Sequence, residues 1–362
     1  MLRRTLLQTF PASGLAAAEA SGADVPIKLG FDSYSVRAFG WKAPQLLDYA
    51  AGLKLDAIQL SSLGDYESLD TAYLQKIRDQ AARLGIAIDA GMGCICPSSG
   101  AFDKNGPPAR DQLLAGLRAA KAVGATCLRC YMGTSADRTG PIPLESHMQN
   151  TIDVFRSVRP EAMDLGVKIA QENHSGDLQA LELKTIIEES GKDFVAACMD
   201  LGNPIWVVED PFVTLETLAP YVVTTHVRDT AVFEHERGAA AQWVALGEGS
   251  VDFVRLMEQF RTLCPHSAMH LEIITGRPPR ILPYFEPDFW KAFPKTPAWQ
   301  FARFLALVKS GRPFMGAMVI EDVPGKQPDV MKEALKEQQR IDLERSLDYA
   351  KQKLHAGIRW RA

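Results

Sequence analysis

Eight short apolar runs, separated by segments with helical spacing, constrain this chain more than any other feature of it. The runs are IKLGF from Ile27, DAIQL from Asp56, IAIDAG from Ile86, TCLRC from Thr126, VKIAQE closing at Glu172, VAACMD closing at Asp200, VVTTHV around His226 and AMHLEI around Glu272. Each is five or six residues long and reads as a buried strand. LLDYAAGLKL, YLQKIRDQAARLG, QLLAGLRAAKAVG, HMQNTIDVFRSVRPEAMDLG and LQALELKTIIEES fill the first five gaps with helical spacing, and Gly85, Gly124 and Gly166 stand where helices should stop. Strand–helix alternation repeated eight times requires parallel strands joined by right-handed crossovers. It predicts an α/β fold, a (β/α)8 TIM barrel of about 250 residues, placed here at 25–275. A doubly wound open sheet is the competing architecture. It usually brings a Gly-rich phosphate turn after the first strand, and GFDSYSVRAFG is not one.

Both ends of the chain lie outside that alternation. Residues 276–362 include RPPRILPYFEPDFWKAFPKTP from Arg277, whose Pro and aromatic content predicts a packed lid or loop. WQFARFLALVKSG and VMKEALKEQQRIDLERSLDYAKQKL then have helical spacing, giving a C-terminal helical extension packed on the barrel or serving a subunit contact. At the other end, MLRRTLLQTFPASGLAAAEASGA carries Arg3 and Arg4, a mild apolar stretch and small residues from Ala18 to Ala23. Residues 1–24 therefore read as a twin-arginine-type export signal, which implies a periplasmic or secreted protein. The alternative is a frayed basic tail on a cytoplasmic enzyme, because Pro11 and Glu19 interrupt the apolar stretch.

No apolar stretch reaches the roughly 20 residues of a membrane-spanning helix, so stable membrane insertion is not expected. The net charge of −4, with no long run of one sign, argues against nucleic acid as a partner. Six cysteines form no zinc-ribbon pattern. Cys127 and Cys130 lie in TCLRCY, where residues three apart on a strand face opposite sides. Cys198 reads as a small core residue, and Cys94 and Cys96, in the loop GMGCICPSSG, are the pair open to reaction or bridging.

The chemistry sits where the last four runs end. In a barrel, catalytic groups gather at the carboxyl ends of several strands. Glu172, Asp200, His226 and Glu272 fall at the ends of strands five to eight, so one ion can be surrounded without a long loop folding inward. Three carboxylates and an imidazole suit a single divalent cation: Mn²⁺ is the expected ion, with Mg²⁺, Co²⁺ or Zn²⁺ compatible.

The stretches IAQENHSGD, CMDLGNP, THVRD, GEGSVDF and HLEI resemble the xylose isomerase-like superfamily of TIM barrels, over about two thirds of the chain. That group includes sugar isomerases and epimerases, hydroxypyruvate isomerase, dehydratases, lyases acting on 3-keto-glycosides, and endonuclease IV. In its ketose 3-epimerases the strand-five and strand-eight glutamates both bind the metal and move protons on opposite faces of the substrate. The resemblance therefore implies that Glu172 and Glu272 are catalytic as well as metal ligands, beside Asp200 and His226. The chain departs from the epimerase pattern at two places. Asn203 stands where those enzymes carry a His three residues after the strand-six Asp, and Arg228 follows His226 by two residues where they carry an Arg several residues on. A homodimer is a further expectation, since several related barrels pair through their faces or extensions.

His174, two residues beyond Glu172, reads as an acid, a base or a hydroxyl contact, or else as a cap on the next helix. Arg228 reads as a partner for a substrate oxygen or for a ligand carboxylate. Glu248 reads as a first-turn acid beside a helix dipole or as a substrate contact. Asp32, Tyr34 and Gln59 are candidates for the sugar pocket, and Trp206, Trp243 and Trp290 for stacking on a sugar face. The function expected is a divalent-metal-dependent sugar isomerase or epimerase, working by proton abstraction beside a carbonyl through an enediolate. The alternatives are a lyase or dehydratase on a 3-keto-sugar or 3-keto-glycoside, and, from another class, a non-catalytic sugar-binding barrel. An endonuclease would need more His ligands and a basic surface.

Overall fold

The computed structural model of the chain describes residues 26–320 and 328–362. Residues 1–24, with the expected export signal, lie outside the described residues. From the N-terminal side the elements are β1 (Leu29–Asp32), α1 (Ala43–Gly52), β2 (Ala57–Leu60), α2 (Thr71–Leu84), β3 (Ala87–Cys94) and α3 (Ala109–Ala122). Then follow β4 (Cys127–Tyr131), α4 (Ser135–Thr139), α5 (Leu144–Ser157), α6 (Arg159–Leu165), β5 (Lys168–Glu172), α7 (Ala180–Ser190), β6 (Val195–Asp200) and α8 (Pro211–Leu218). The chain continues through β7 (Val222–His226), β8 (Asp229–His235), β9 (Gly238–Val244), α9 (Phe253–Leu263), β10 (Met269–Leu271) and β11 (Arg280–Leu282), and ends with α10 (Ala298–Ser310) and α11 (Asp329–Gln352).

Eight parallel strands run in the order β10-β1-β2-β3-β4-β5-β6-β7. The seam between β7 and β10 is joined by a parallel bridge from Val227 to Leu271, with the Val227 amide on the His270 carbonyl at 2.8 Å and the Glu272 amide on the Val227 carbonyl at 3.1 Å. This is the TIM barrel the alternation predicts. Each of its eight strands overlaps one of the eight apolar runs, with β10 in AMHLEI, and β1, β3 and β4 continue one to three residues past theirs. Gly85, Gly124 and Gly166 all take positive φ at helix ends, as their positions suggest. The segment after β4 given helical spacing, HMQNTIDVFRSVRPEAMDLG, is divided between α5 and α6, with Pro160 in the first turn of the second, and the short α4 precedes both.

Cys127 faces the barrel interior with Ala170 and Cys198, whereas Cys130 joins the layer between strands and helices, so the two do face opposite ways. Cys94 and Cys96 correct their sequence reading. Cys94 closes β3, its thiol donating to the Met132 carbonyl at 2.9 Å, and both sulfurs are buried and free. Burial pushes the Cys94 thiol up to about 12, which removes the thiolate a reactive cysteine needs.

Beyond the barrel, β8 and β9 form an antiparallel hairpin that pairs with β11 in a three-stranded sheet. The lid thus contains a strand that its Pro-rich sequence hides. The sheet, the turn at 203–207 and α10 share a second apolar core around Trp206, Val232, Leu282, Phe293 and Phe304. Helix α11 then lies in the place of the eighth barrel helix. Glu344 accepts from Tyr49 of α1 at 3.0 Å, Ser346 accepts from the Leu246 amide at 3.0 Å, and the Gly357 amide reaches the Ile27 carbonyl at 2.8 Å. Among the described residues no helix is long and apolar enough to cross a membrane.

Candidate metal centre

Glu172, Asp200 and His226 are the last residues of β5, β6 and β7, and Glu272 follows β10 by one residue. Parallel neighbours in register bring these carboxyl ends to one place: Glu172 pairs with Cys198, and Asp200 with His226. One ligand atom from each of the four lies within 4.8 Å of all the others, and all four residues are buried. His226 Nδ1 is 3.2 Å from Glu172 Oε1, 3.2 Å from Glu272 Oε2 and 4.0 Å from Asp200 Oδ2. Donors that share one ion through bonds of about 2.1 Å stand about 3.0–4.2 Å apart. The cluster therefore fits a divalent cation in both donor type and donor spacing.

The imidazole is oriented from behind. Gln59 Oε1 accepts from His226 Nε2, and Gln59 is itself fixed by donating to Thr224 Oγ1 at 2.9 Å. That bond leaves Nδ1 as the ring's ligand atom, the arrangement by which second partners select a metal-binding tautomer. Asp32 Oδ2 lies 3.4 Å from the same Nε2. Asp32 and Gln59 thus support the cluster from below and do not line a sugar pocket.

Two buried arginines compensate the carboxylates. Arg129 of β4 donates from Nε to Glu172 Oε2 at 2.5 Å and from Nη1 to the Met92 carbonyl at 3.2 Å. Arg228 pairs with Asp200, and its Nη1 is 2.6 Å from Glu272 Oε2. The Gly202 and Asn203 amides hold Asp200 Oδ1 at 2.6 and 2.7 Å. Burial alone would raise every carboxylate here. At Glu172 the pull of Arg129 and His226 outweighs it and holds the group at about 2, and at Glu272 Arg228 and His226 do the same, keeping it well below the usual range. At Asp200 burial wins over Arg228, and the group rises to about 6. Burial disfavours the His226 cation, but Cys198, Glu272 and Glu172 together raise its pKa well above the ordinary value.

Above the cluster opens a cavity of about 760 Å³, lined among others by Tyr34, Arg129, Tyr131, His174, Asn203, Trp206, Arg228, Trp243 and Glu272. A volume in this range is typical of small-molecule sites. Several buried polar atoms of these residues have no partner: Asn203 Oδ1, Trp206 Nε1, Trp243 Nε1 and Arg228 Nε. Unsatisfied groups of this kind are rare in a folded interior, and these four belong to residues that border the cavity. His174 stacks on Tyr131 with ring centroids 3.9 Å apart and is bonded through Nδ1 to the Gly133 carbonyl at 2.7 Å. Nε2 is then the ring's acceptor. Burial lowers the His174 pKa, which favours the neutral ring.

Of the residues singled out in the sequence, His174, Arg228, Tyr34, Trp206 and Trp243 thus line the cavity. Glu248 does not line it. It pairs with Arg345 of α11 at 2.5 Å, and the helix it was expected to open begins at Phe253 with Asp252 as its cap. Trp290 is also elsewhere, donating to the Tyr284 carbonyl at 2.8 Å inside the lid. Arg129 escaped the sequence reading. Its signal was available, since a lone guanidinium in the buried run TCLRCY requires an anionic partner.

Comparison with known proteins finds relatives of this chain. The family model described as the xylose isomerase-like TIM barrel matches residues 47–287. The 3-oxo-isoapionate decarboxylase of Pectobacterium atrosepticum is 24% identical over 245 residues, which cover 64% of this chain and 80% of that protein. Among solved structures, a D-psicose 3-epimerase in the presence of D-fructose superposes with a TM-score of 0.56 at 16% identity, over 91% of this chain and 99% of that one. The 3-keto-D-glucoside 4-epimerase of Escherichia coli does so with a TM-score of 0.53 at 16% identity, over 78% and 98%.

Proposed function

The chain belongs to the xylose isomerase-like TIM barrel family, and from that premise we propose that it is a divalent-metal-dependent sugar isomerase or epimerase. It removes the proton beside a substrate carbonyl. One observation carries the reading: a fitted ligand cluster of Glu172, Asp200, His226 and Glu272 stands against a cavity into which Glu272 opens. Those four residues would hold the ion, Mn²⁺ by preference, and the ion when bound polarises the carbonyl and its neighbouring hydroxyl as a Lewis acid.

The chain's own groups account for the rest. Glu272 is the carboxylate among the cavity-lining residues, and its Oε2 is free of hydrogen bonds although close to Arg228. It is placed to take the proton beside the carbonyl. Arg129 and Arg228 already lie at the cavity floor, where negative charge develops on the enediolate oxygens. His174, neutral and fixed through Nδ1, offers Nε2 to a substrate hydroxyl or to the returning proton. Return to the same carbon from the other face gives an epimer, and return to the neighbouring carbon an isomer.

A second reading, a lyase on a 3-keto-sugar, is favoured by a specific feature. Glu172 is sealed behind Arg129 and does not line the cavity, and Asn203 replaces a second imidazole. A single facing base serves elimination as well as it serves isomerisation. Loss of carbon dioxide from a 3-oxo acid, the reaction in the Pectobacterium relative's name, would build up the same kind of enolate. In either reading Glu272→Gln lowers turnover of D-psicose, D-fructose or 3-keto-glucose by about 10²-fold or more with MnCl₂ present, measured by product chromatography. A Glu272→Gln protein with undiminished turnover would remove the basis of both.

A further inference from the structure

One wall of the cavity is an alternating stack of guanidinium groups and indoles. Arg228 Cζ lies 4.7 Å from the Trp243 ring centroid, Trp243 meets Trp206 edge-on at 4.9 Å, and Arg280 Cζ stands 5.3 Å from the Trp206 centroid. The inner end of the stack is tied to the ligand carboxylates through Arg228. At the outer end, no acidic side chain pairs with Arg280 among the described residues.

Past Arg280 lies a second cavity of about 470 Å³. Trp206 and Arg280 line both cavities, so the stacked pair is a shared partition. The other walls come from α4, the loop after β5, β11 and the segment 288–293. Gly176 sits at the partition with φ of +85°. A Cβ there would meet Ser135 Cβ at 3.0 Å, Trp206 Cβ at 3.6 Å and Arg280 Nη1 at 3.7 Å, so any side chain would fill the gap they leave.

We propose that the second cavity is a subsite for the aryl aglycone of a glycoside whose sugar ring reacts in the first. This rests on the reading that the sugar's reacting carbons face the acidic cluster. Trp206, Leu282, Phe289 and Phe293 give one side of this cavity the apolar character that suits an aromatic ring. Arg280 and the unpartnered Trp206 Nε1 supply donors at the partition, where the glycosidic oxygen would cross. A phosphate ester fits less well, because Arg138 and Lys291, the remaining cations of the wall, are already matched with Glu182 and Asp288. A free monosaccharide would leave the cavity unused.

The test compares 3-keto-glucose with the α- and β-anomers of 4-nitrophenyl 3-keto-glucoside, bound to the full Mg²⁺-loaded chain and followed by calorimetry. One aryl glycoside binds at least about tenfold more tightly than the free sugar, the increment expected of one good aromatic contact. Thr139→Trp, built on an exposed rim residue of the second cavity, abolishes that preference and leaves free-sugar affinity unchanged. Arg280→Ala reduces it as well. Equal affinities, or a preference that survives Thr139→Trp, overturn the subsite alone. Binding of none of the probes overturns the subsite, and turnover of D-psicose or D-fructose then decides the proposed function separately.

Discussion

Arg129 is the charge that allows Glu172 to be buried. Both side chains are almost sealed from solvent, and removing one partner of such a pair leaves an uncompensated ion, at a cost of about 3–5 kcal/mol. Arg129→Met is therefore expected to destabilise the metal-free protein by that order. Added MnCl₂ should restore much of the loss, because a dication at the cluster takes over the compensation of Glu172. Thermal melts with and without metal decide this, and a variant that melts like the parent in both would refute the role given to Arg129. At this scale the sequence reading picked out the four residues that the structure brings together because strand ends are set by short-range pattern. It missed Arg129 and misplaced Glu248 because pairing across the barrel depends on which side chains face inward. That information lies in strand register, not in local spacing.

Elements of this barrel are held partly by charges borrowed from their neighbours. Glu209, in the turn before α8, accepts from the Ala180 amide at the start of α7 at 3.2 Å and from the Thr214 hydroxyl at 2.6 Å. Burial nevertheless raises it to about 7, against an ordinary value of 4.5. The folded state thus holds its proton more tightly than the unfolded chain does. The stabilisation is complete below about pH 4.5 and is lost as pH rises toward 7, amounting to about 3 kcal/mol at about 1.4 kcal/mol per unit. Glu209→Gln carries no such titration, so its urea-unfolding free energy should gain on the parent by that order between pH 4.5 and 8. Parallel pH profiles for the two proteins would sink the argument. The eight barrel strands and most helices were legible because each is a closed local signal, an apolar run or an amphipathic period ended by Gly. The hairpin β8–β9 was not. Its second strand is GAAAQWV, where alanines stand in place of the β-branched residues that advertise a strand, and its pairing with β11 joins segments some forty residues apart.

Across the whole molecule, the barrel sets the chemistry and the additions to it shape what can be bound. The strand ends gather three carboxylates, an imidazole and two guanidinium groups at one point. The turn at 203–207 and the sheet of β8, β9 and β11 raise the Trp206–Trp243 wall over them. With a dication bound and His226 neutral, the three carboxylates and two arginines would leave the site at +1, which in the proposed reading favours an enediolate over the neutral carbonyl. The central claim is that this site moves a proton beside a carbonyl only when the ion is in place. The direct test is proton NMR in D₂O of the Mg²⁺-loaded protein with ketohexoses and 3-keto-glucosides, repeated after chelation and again after metal is restored. Deuterium should enter beside the carbonyl of at least one substrate, stop on chelation and resume on reloading. Exchange that continues in the chelated protein, or none with any of these substrates in the loaded one, would contradict it.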